Sequence, residues 1–357
     1  MHKIIVGLSG GVDSAVTAFL LKEKGHQVEG CYMQNWVAEK EDPYCSAEQD
    51  LTDAKKVCDH LKIPFHLVNF SKNYWDLVFQ YCLDEFVAGR TPNPDIGCNQ
   101  YIKFDVFLKH ALSLGGDYLA TGHYARKNFS NNQFSLLKAV DLSKDQTYFL
   151  YTLSQEKLAR VEFPLGELKK TEVRKIAKKV GFSNAGKKDS TGICFIGERK
   201  FKDFLKNYVL AKPGVIKTIE GEQIGKHTGL MFYTLGQRQG LAIGGLGKKQ
   251  YHAPWYVVDK NITENELIVA QGHDHRALLR NTLECEKTHW IGAVPAMPLM
   301  CSAKIRYRQE DQTCIISEIA NKRYQVQFHQ PQRAITPGQS IVFYQDERCL
   351  GGGIIVS

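Results

Sequence analysis

Apolar positions near the N-terminus follow first a strand pattern and then a helix pattern. Lys3–Leu8 is a short apolar run with β-branched residues, which is typical of a buried strand. After a Ser-Gly-Gly turn, apolar residues recur at helical spacing over residues 15–20, and Gly25 ends the pattern. Asp13 and Ser14 are residue types that favour the N-cap, so the sequence predicts that the helix begins at them.

The alternation of strand and helix continues through the first third of the chain. Strand patterns lie at residues 27–33, 64–70 and 117–121, and helix patterns at 47–61, 75–86 and 104–114. This alternation predicts a Rossmann-like α/β fold with a mostly parallel sheet, which binds ligands at the carboxyl ends of its strands. Met33, Gly122 and His123 fall at such ends, although an ordinary turn histidine fits His123 equally well.

The pattern changes after about residue 205, where glycine, proline and threonine increase. Short alternating segments lie at residues 214–219, 255–259, 303–307, 313–318, 324–328 and 340–344. They predict a small β-rich connector followed by a C-terminal antiparallel β-barrel. The predicted domains are therefore residues 1–205, 206–270 and 271–357.

Composition limits the class of protein. The chain has 357 residues, of which 43% are hydrophobic, so two or three domains with sizeable cores are expected. No apolar run is long enough to span a bilayer, and no signal or transit peptide precedes the first strand, which predicts a cytoplasmic protein. Ten cysteines without C-x-x-C spacing favour a reducing compartment over a disulfide framework, a zinc ribbon or an iron–sulfur site.

Positive charge is concentrated in one segment. The net charge is +8, and residues 169–188 contain eight Lys or Arg and one Glu, a local charge of +7. Thr171 is a candidate helix cap, an apolar stripe follows it, and Gly181 ends the pattern. The apolar stripe must pack, so the charged face meets either water or an acidic partner such as a phosphate backbone.

The turn between the first strand and the first helix is a candidate phosphate site. Its glycines leave backbone N–H groups unpaired at the positive end of a helix, which favours an anion. No Gly-Lys-Ser/Thr follows, so it is not a Walker loop, and it is not a G-x-G-x-x-G dinucleotide motif. The string Ser-Gly-Gly-Val-Asp-Ser at residues 9–14 resembles the pyrophosphate loop of enzymes that split ATP into AMP and pyrophosphate.

Two cysteines lie in unusual contexts. Residues 91–99 contain two prolines and a glycine, which predicts an exposed loop without regular structure, and this loop carries Asp95 three residues before Cys98. An exposed thiol near polar groups is a candidate nucleophile, although most loop cysteines are inert. Cys194 follows the basic segment, whose charge is expected to lower the pKa of its thiol.

Several strings together identify a family. The sequence resembles the tRNA-specific 2-thiouridylases at residues 7–14, 91–98, 120–126, 144–146 and 189–194, with shorter pieces at 233–238 and 306–308. The segments occur in the family's order and extend over essentially the whole chain.

The resemblance implies ATP-dependent 2-thiolation of the wobble uridine of tRNA. In such a tRNA-uridine 2-sulfurtransferase, ATP adenylates the C2 oxygen and is converted to AMP and pyrophosphate. Cys194 would carry a persulfide whose sulfur replaces that oxygen. Cys98 would attack the persulfide, freeing sulfur as a nucleophile or closing a Cys98–Cys194 disulfide, and Asp95 would serve as general acid or base.

The resemblance also implies ligand sites. The ATP site would consist of Gly7, Leu8, Ser9, Gly10, Gly11, Val12, Asp13, Ser14, Met33 and Gly122, with Mg²⁺ held through the phosphates and no protein metal ligand. Asn93, Pro94 and Asp95 would contact the target base. The tRNA anticodon stem-loop would contact His123, Lys144, Asp145, Gln146, Arg306, Tyr307 and Gln339. A sulfur-donor protein is the second implied partner.

Two alternatives remain at this point. An amide-forming or argininosuccinate-type synthetase would explain the pyrophosphate loop but not the two cysteine segments or the basic run. A non-catalytic RNA-binding protein with a nucleotide fold would explain the charge, but the presence of Asp95, Cys98 and Cys194 argues against it.

Overall fold

The computed structural model describes residues 1–36, 47–188, 201–243, 253–320 and 322–357. Its strands in chain order are β1 (Lys3–Leu8), β2 (Gln27–Gln34), β3 (Phe65–Asn69), β4 (Tyr118–Ala120), β5 (Ala125–Ser130), β6 (Gln133–Lys138), β7 (Val161–Glu162), β8 (Gly214–Thr218), β9 (Gln223–His227), β10 (Trp255–Asn261), β11 (Glu266–Gln271), β12 (Leu279–Trp290), β13 (Leu299–Lys304), β14 (Gln312–Ala320), β15 (Arg323–Arg333), β16 (Ser340–Gln345) and β17 (Arg348–Ile355).

The α-helices are α1 (Val12–Glu23), α2 (Ala47–Leu61), α3 (Ser71–Tyr74), α4 (Gln80–Val87), α5 (Pro94–Gly97), α6 (Leu108–Ser113), α7 (Gln155–Leu158), α8 (Lys170–Val180) and α9 (Phe201–Leu205). Two π-helical segments continue the chain between these helices: Trp75–Phe79 joins α3 to α4, and Cys98–Phe107 joins α5 to α6. We call the second segment the Cys98 helix.

The first sheet is a five-stranded parallel sheet of order β3-β2-β1-β4-β7. Successive side chains of β1 point to opposite faces, so Ile4 and Val6 pack in one core with residues of α1, α2 and α8. Ile5 packs in a second core with the helices between residues 71 and 113. The predicted Rossmann-like α/β sheet, covered by helices on both faces, is confirmed.

The start of α1 differs from the prediction. Gly11 occupies the N-cap position, and no side chain caps the helix there. Asp13 and Ser14 lie inside the first turn, where Ser14 Oγ donates to the Gly11 carbonyl at 3.0 Å and accepts from the Ser9 N–H at 3.2 Å. The serine therefore stabilises the turn before the helix, and the prediction that the helix begins at Asp13 and Ser14 is wrong.

The predicted cap of α8 is also wrong. Lys169 is the N-cap residue, and its backbone N–H donates to the carboxylate of Glu172 at 2.7 Å. Thr171 lies within the helix. The predicted C-terminus is confirmed, because Gly181 adopts φ +84° in the left-handed region that favours glycine.

Residues 91–99 are not an exposed irregular loop. Asn93 caps α5, its side-chain oxygen accepting from the N–H groups of Asp95 at 3.2 Å and Ile96 at 3.3 Å. Pro94 occupies the first helical turn, where its missing N–H would have no intrahelical partner. The helix then continues into the Cys98 helix, so the prolines begin a helix rather than exclude one.

Two further sheets follow the Rossmann-like sheet. A mixed four-stranded sheet has the order β10-β11-β8-β9. The last six strands have the order β12-β15-β14-β13-β16-β17, and β12 pairs with β17 to close an antiparallel barrel. The predicted barrel is confirmed, but the strand predicted at residues 303–307 ends at Lys304, which leaves Arg306 and Tyr307 in a turn.

A hairpin from the first third of the chain joins the barrel sheet. β5 and β6 are connected by Asn131 and Asn132, which have φ of +51° and +58°, values that suit a tight hairpin turn. β6 pairs with β17, where Leu136 lies opposite Cys349. The sequence analysis does not predict this hairpin, which connects the Rossmann-like part directly to the barrel.

Across the ranges that the structure describes, no helix combines the length and the hydropathy that crossing a bilayer requires.

Candidate active site

Residues 9–14, here called the phosphate loop, lie between β1 and α1. Gly10 has φ +73°, and a Cβ atom at this position would lie 2.4 Å from the carbonyl oxygen of Asp50. A Cβ atom on Gly122, which follows β4, would lie 2.9 Å from the backbone nitrogen of Ser14. Both glycines therefore permit backbone contacts that no larger residue allows.

This loop lies at the point where the strand order of the parallel sheet reverses. β2 and β3 follow β1 on one side, while β4 and β7 lie on its other side. Crevices of this kind bind ligands in open α/β sheets. Of the expected ATP residues, the structure brings Gly122 against the phosphate loop, and it places Met33, half-buried, on the adjacent strand β2.

Part of the basic segment folds onto the phosphate loop. The ammonium of Lys170 lies 2.8 and 2.7 Å from the two carboxylate oxygens of Asp13, and the Tyr124 hydroxyl donates to the same carboxylate at 2.9 Å. Asn184 donates its side-chain amide to the Gly10 carbonyl at 3.0 Å. These contacts fix the first turn of α1 from the side opposite β1.

Lys187 makes a second ion-pair cluster beside the loop. Its ammonium lies 2.7 Å from carboxylate oxygens of both Asp50 and Asp53, and 3.4 Å from the Gly10 carbonyl oxygen. Burial is the largest single effect and by itself would lower the pKa of Lys187 and raise that of Asp53, but the hydrogen bonds and opposite charges around each group together reverse both shifts. The ion pair is therefore charged at neutral pH.

The basic segment thus has two roles. Lys170 and Lys187 are used in ion pairs around the phosphate loop. The exposed cations are Lys169, Lys175, Lys178, Lys179 and Lys188. The charged face is expected to meet either water or an acidic partner, and these exposed side chains are the part of the segment that can do so.

Replacing Lys170 with Met is expected to destabilise the protein by about 2–3 kcal/mol, because the partly buried Asp13 carboxylate keeps the Tyr124 hydroxyl but loses its cation. Lys178→Met on the exposed face of the same helix is the matched control, with an expected change within about 0.5 kcal/mol. Urea unfolding followed by circular dichroism measures both. Equal stability of the two variants would contradict the role given to the Lys170–Asp13 pair.

Cys98 is buried rather than exposed, contrary to the sequence prediction. Its side chain lies within the second core and is 4% exposed. The amide nitrogen of Asn35, which follows β2, lies 3.9 Å from its sulfur. Burial raises the pKa of the Cys98 thiol to about 11, with Lys103 opposing and Asp95 reinforcing the shift. The thiol is therefore protonated at neutral pH in this state.

Burial favours the neutral form of both the Asp95 carboxyl and the His123 ring. Burial raises the pKa of the Asp95 carboxyl, and the charge of Lys103 opposes that shift. The His123 ring pairs through Nδ1 with the Thr121 hydroxyl at 2.8 Å. Burial, followed by Lys103, lowers the pKa of His123 well below its ordinary value, so His123 carries no positive charge for a phosphate.

Sequence reasoning missed two residues of this site. Lys103 acts electrostatically on three expected site groups, and Asn35 contacts Cys98 directly. Neither residue carries a motif of its own. The single available signal was the position of Asn35 just beyond the carboxyl end of β2, where ligands of parallel sheets bind.

Gln339 and Tyr307, both from the barrel part of the chain, make contacts near the Cys98 helix. Gln339 donates its side-chain amide to the carbonyl oxygens of Thr91 at 2.8 Å and Pro92 at 3.3 Å. The ring of Tyr307 lies 4.5 Å from that of Phe149. Since Asn99 of the Cys98 helix donates to the Phe149 carbonyl at 3.2 Å, Tyr307 lies one contact away from this helix, whereas Gln339 contacts the residues that precede α5.

Most of the other residues that are expected to bind tRNA form hydrogen bonds within the protein. Asp145 is 5% exposed and accepts from the Ala139 N–H and the Thr147 hydroxyl. Gln146 accepts from the Tyr124 N–H at 2.9 Å.

Lys144, which precedes Asp145 in the chain, is half-buried. Arg306 donates to the carbonyl oxygens of Arg333 and Ala334. Cys194 lies outside the described residues, so its distance from Cys98 is not part of this geometry.

Three family models match consecutive parts of the chain. Their descriptions are tRNA methyl transferase HUP domain for residues 2–198, tRNA methyl transferase PRC-barrel domain for residues 202–271, and aminomethyltransferase beta-barrel domain for residues 280–355.

Curated relatives match at high identity, and each bears the name tRNA-specific 2-thiouridylase MnmA. The relative from Coxiella burnetii is 59% identical over 99% of this chain and 97% of its own length. Those from Methylococcus capsulatus and Legionella pneumophila are 56% and 55% identical over 99% of this chain, and over 95% and 98% of their own lengths. Because these matches run the length of the chain, they outweigh the methyl-transferase wording of the model descriptions. The chain belongs to the tRNA-specific 2-thiouridylase family.

Proposed function

We propose that this protein is the tRNA-uridine 2-sulfurtransferase that catalyses ATP-dependent 2-thiolation of the wobble uridine of tRNA. The observation that carries the proposal is the common location of two chemical groups. The phosphate loop follows β1, and Cys98 contacts Asn35 just beyond the end of the neighbouring strand β2. A nucleotide and a nucleophile therefore share one edge of the parallel sheet.

The phosphate loop suits the phosphates of ATP. The first turn of α1 has no side-chain cap, so its N–H groups and the positive end of the helix face the crevice. Gly122 and Met33 would frame the nucleotide from the neighbouring strands. Among the described residues, no group of three Asp, Glu, His or Cys residues is arranged to hold a metal, so we propose that Mg²⁺ binds through the phosphates of ATP.

Activation by ATP solves a chemical problem at C2 of the uracil ring. A carbonyl oxygen is a poor leaving group, whereas the adenylated oxygen departs with AMP. The incoming sulfur would come from a persulfide on Cys194. Cys98 would attack Cys194 Sγ either in the persulfide, which releases hydrosulfide to attack C2, or in a Cys194–S–C2 adduct, which releases the thiolated base; both routes close a Cys98–Cys194 disulfide that a thiol reductant must open before the next turnover. Asp95, whose pKa is raised by burial, suits general acid or base catalysis beside Cys98.

The tRNA would lie across more than one part of the chain. We propose that Asn93, Pro94 and Asp95 meet the target base, which must leave its stack to reach the thiols. The exposed lysines of the basic segment suit backbone phosphates. Asp145 and Gln146 are held inside, so they would act by shaping the Lys144 turn. In this division, residues 1–205 perform catalysis, residues 206–270 connect, and residues 271–357 grip the tRNA.

A gel assay that separates thiolated from unmodified tRNA tests the proposal. The purified protein receives bulk unmodified tRNA, Mg²⁺, a persulfide donor of sulfane sulfur, and either ATP or a non-hydrolysable analogue. We expect a thiolated band that requires ATP and that disappears in Cys194→Ser. A Cys194→Ser variant that retains sulfur transfer would refute the persulfide role.

The same assay distinguishes the alternatives. Cleavage of ATP to AMP with another acceptor and no thiolated band would favour a synthetase. Tight tRNA binding without ATP cleavage would favour a non-catalytic RNA-binding protein.

A further inference from the structure

The side chain of Asn35 is directed at the sulfur of Cys98. Its amide nitrogen lies 3.9 Å from Cys98 Sγ, within the range of a hydrogen bond to sulfur. Among the described residues, the Asn35 amide is the one hydrogen-bond partner of the Cys98 sulfur. The contact joins the end of β2 to the start of the Cys98 helix, two elements that are 63 residues apart in sequence.

A purely structural role does not explain this asparagine. Its Oδ1 atom is buried and finds no hydrogen-bond partner among the described residues. A buried amide with one unpaired atom destabilises a fold compared with an apolar residue of the same shape. Among the described residues, the contact with the Cys98 sulfur is therefore the hydrogen bond that orients this side chain.

The charged groups that act on Cys98 come from the two helical elements around it. Asp95 on α5 disfavours a thiolate, and Lys103 on the Cys98 helix favours one. Lys103 is half-buried and forms no salt bridge with any described residue. No described carboxylate therefore forms an ion pair that would neutralise the Lys103 ammonium.

We propose that Asn35 is a positioning residue for Cys98: its side-chain amide donates a hydrogen bond to Cys98 Sγ and, together with the ammonium of Lys103, stabilises the thiolate. A thiol buried in an apolar core ionises with difficulty, and only the thiolate is nucleophilic. The neutral donor and the nearby cation offset part of the hydration that burial removes. The functional importance of this arrangement rests on the proposed role of Cys98 in thiolation, but the test of the arrangement does not depend on that role.

The test is the pH dependence of alkylation of Cys98 by iodoacetamide, followed by mass spectrometry of the peptide that contains it. In this reaction the thiolate displaces iodide, and the thiol proton passes to the buffer. Neither ATP nor tRNA is present, so failure of the proposal is separate from failure of the thiolation. Asn35→Asp keeps the size of the side chain but replaces the donor with a negative charge.

We expect Cys98 of Asn35→Asp to be alkylated at least about tenfold more slowly than in the unchanged protein between about pH 7.5 and 10. Lys103→Met should slow the reaction in the same direction, and Lys103→Arg should restore most of the rate. Asn69→Ala is the matched control, because Asn69 ends the next strand β3 and its side chain bonds to Ser71 instead. Circular dichroism and urea unfolding confirm that each variant is folded, and Asn35→Ala repeats the test without the added charge.

Two results would overturn the proposal. An unchanged pH–rate profile in both Asn35 variants would show that the amide does not act on the thiolate. A profile shifted to lower pH in Asn35→Ala would show that the amide is turned around, so that its oxygen accepts from the Cys98 S–H and stabilises the thiol instead.

Discussion

Replacing Cys98 with Ser is expected to abolish thiolation while leaving ATP and tRNA binding intact. A serine hydroxyl cannot attack a persulfide at neutral pH, because its oxygen is far less acidic and less nucleophilic than sulfur. The initial rate of thiolated tRNA formation should fall by at least about 10³-fold. The gel assay measures this rate, and filter binding measures the affinity for tRNA.

The control for this variant must account for the loss of a buried thiol. Cys82→Ser is suitable, because Cys82 on α4 lies in the same core and is equally buried. Both substitutions bury a hydroxyl in an apolar setting and should destabilise the fold by about 1–2 kcal/mol. Cys82→Ser should nevertheless retain thiolation. Equal activity of the two variants would remove Cys98 from the reaction.

Replacing Gly10 with Ala is expected to weaken ATP binding at least tenfold and to destabilise the protein by about 2–4 kcal/mol. The positive φ of Gly10 disfavours any residue with a Cβ atom, and that atom would lie 2.4 Å from the backbone of Asp50. Relieving the clash must displace the phosphate loop or α2. Isothermal titration with a non-hydrolysable ATP analogue measures the affinity, and urea unfolding measures the stability.

Gly25→Ala separates backbone strain from the clash. Gly25 has φ +79°, close to that of Gly10, but a Cβ atom there would have no neighbour within 4 Å. This variant should lose only about 1 kcal/mol and should bind the analogue normally. If Gly10→Ala bound the analogue as well as Gly25→Ala does, the loop would not be the phosphate site.

The sequence alone determined the Rossmann-like sheet and its loop. An apolar run of strand length and apolar residues at helical spacing are local properties, and they predicted the strand Lys3–Leu8 and the helix that follows. The glycines and the family strings then identified the phosphate loop. The same local signals predicted the strands of the barrel, although the strand at residues 303–307 ends early, at Lys304.

Local rules failed where capping and tertiary burial decided the outcome. The two prolines predict no helix at residues 91–99, yet Asn93 caps a helix that begins at Pro94. Burial of Cys98 came from packing of that helix in the second core, which no local pattern encodes. The predicted exposed thiol is therefore a buried one, with its pKa raised instead of lowered.

Only the tertiary structure could decide which distant residues meet. The ion pairs of Lys170 with Asp13 and of Lys187 with Asp50 join residues 157 and 137 positions apart. The hairpin β5–β6 completes its pairing on β17, more than 200 residues later in the chain. Such contacts depend on the sum of all packing interactions, because no single segment carries the information that specifies its partner. The sequence determined the family and the chemical groups, and the fold decided that Asn35, at the end of β2, meets Cys98.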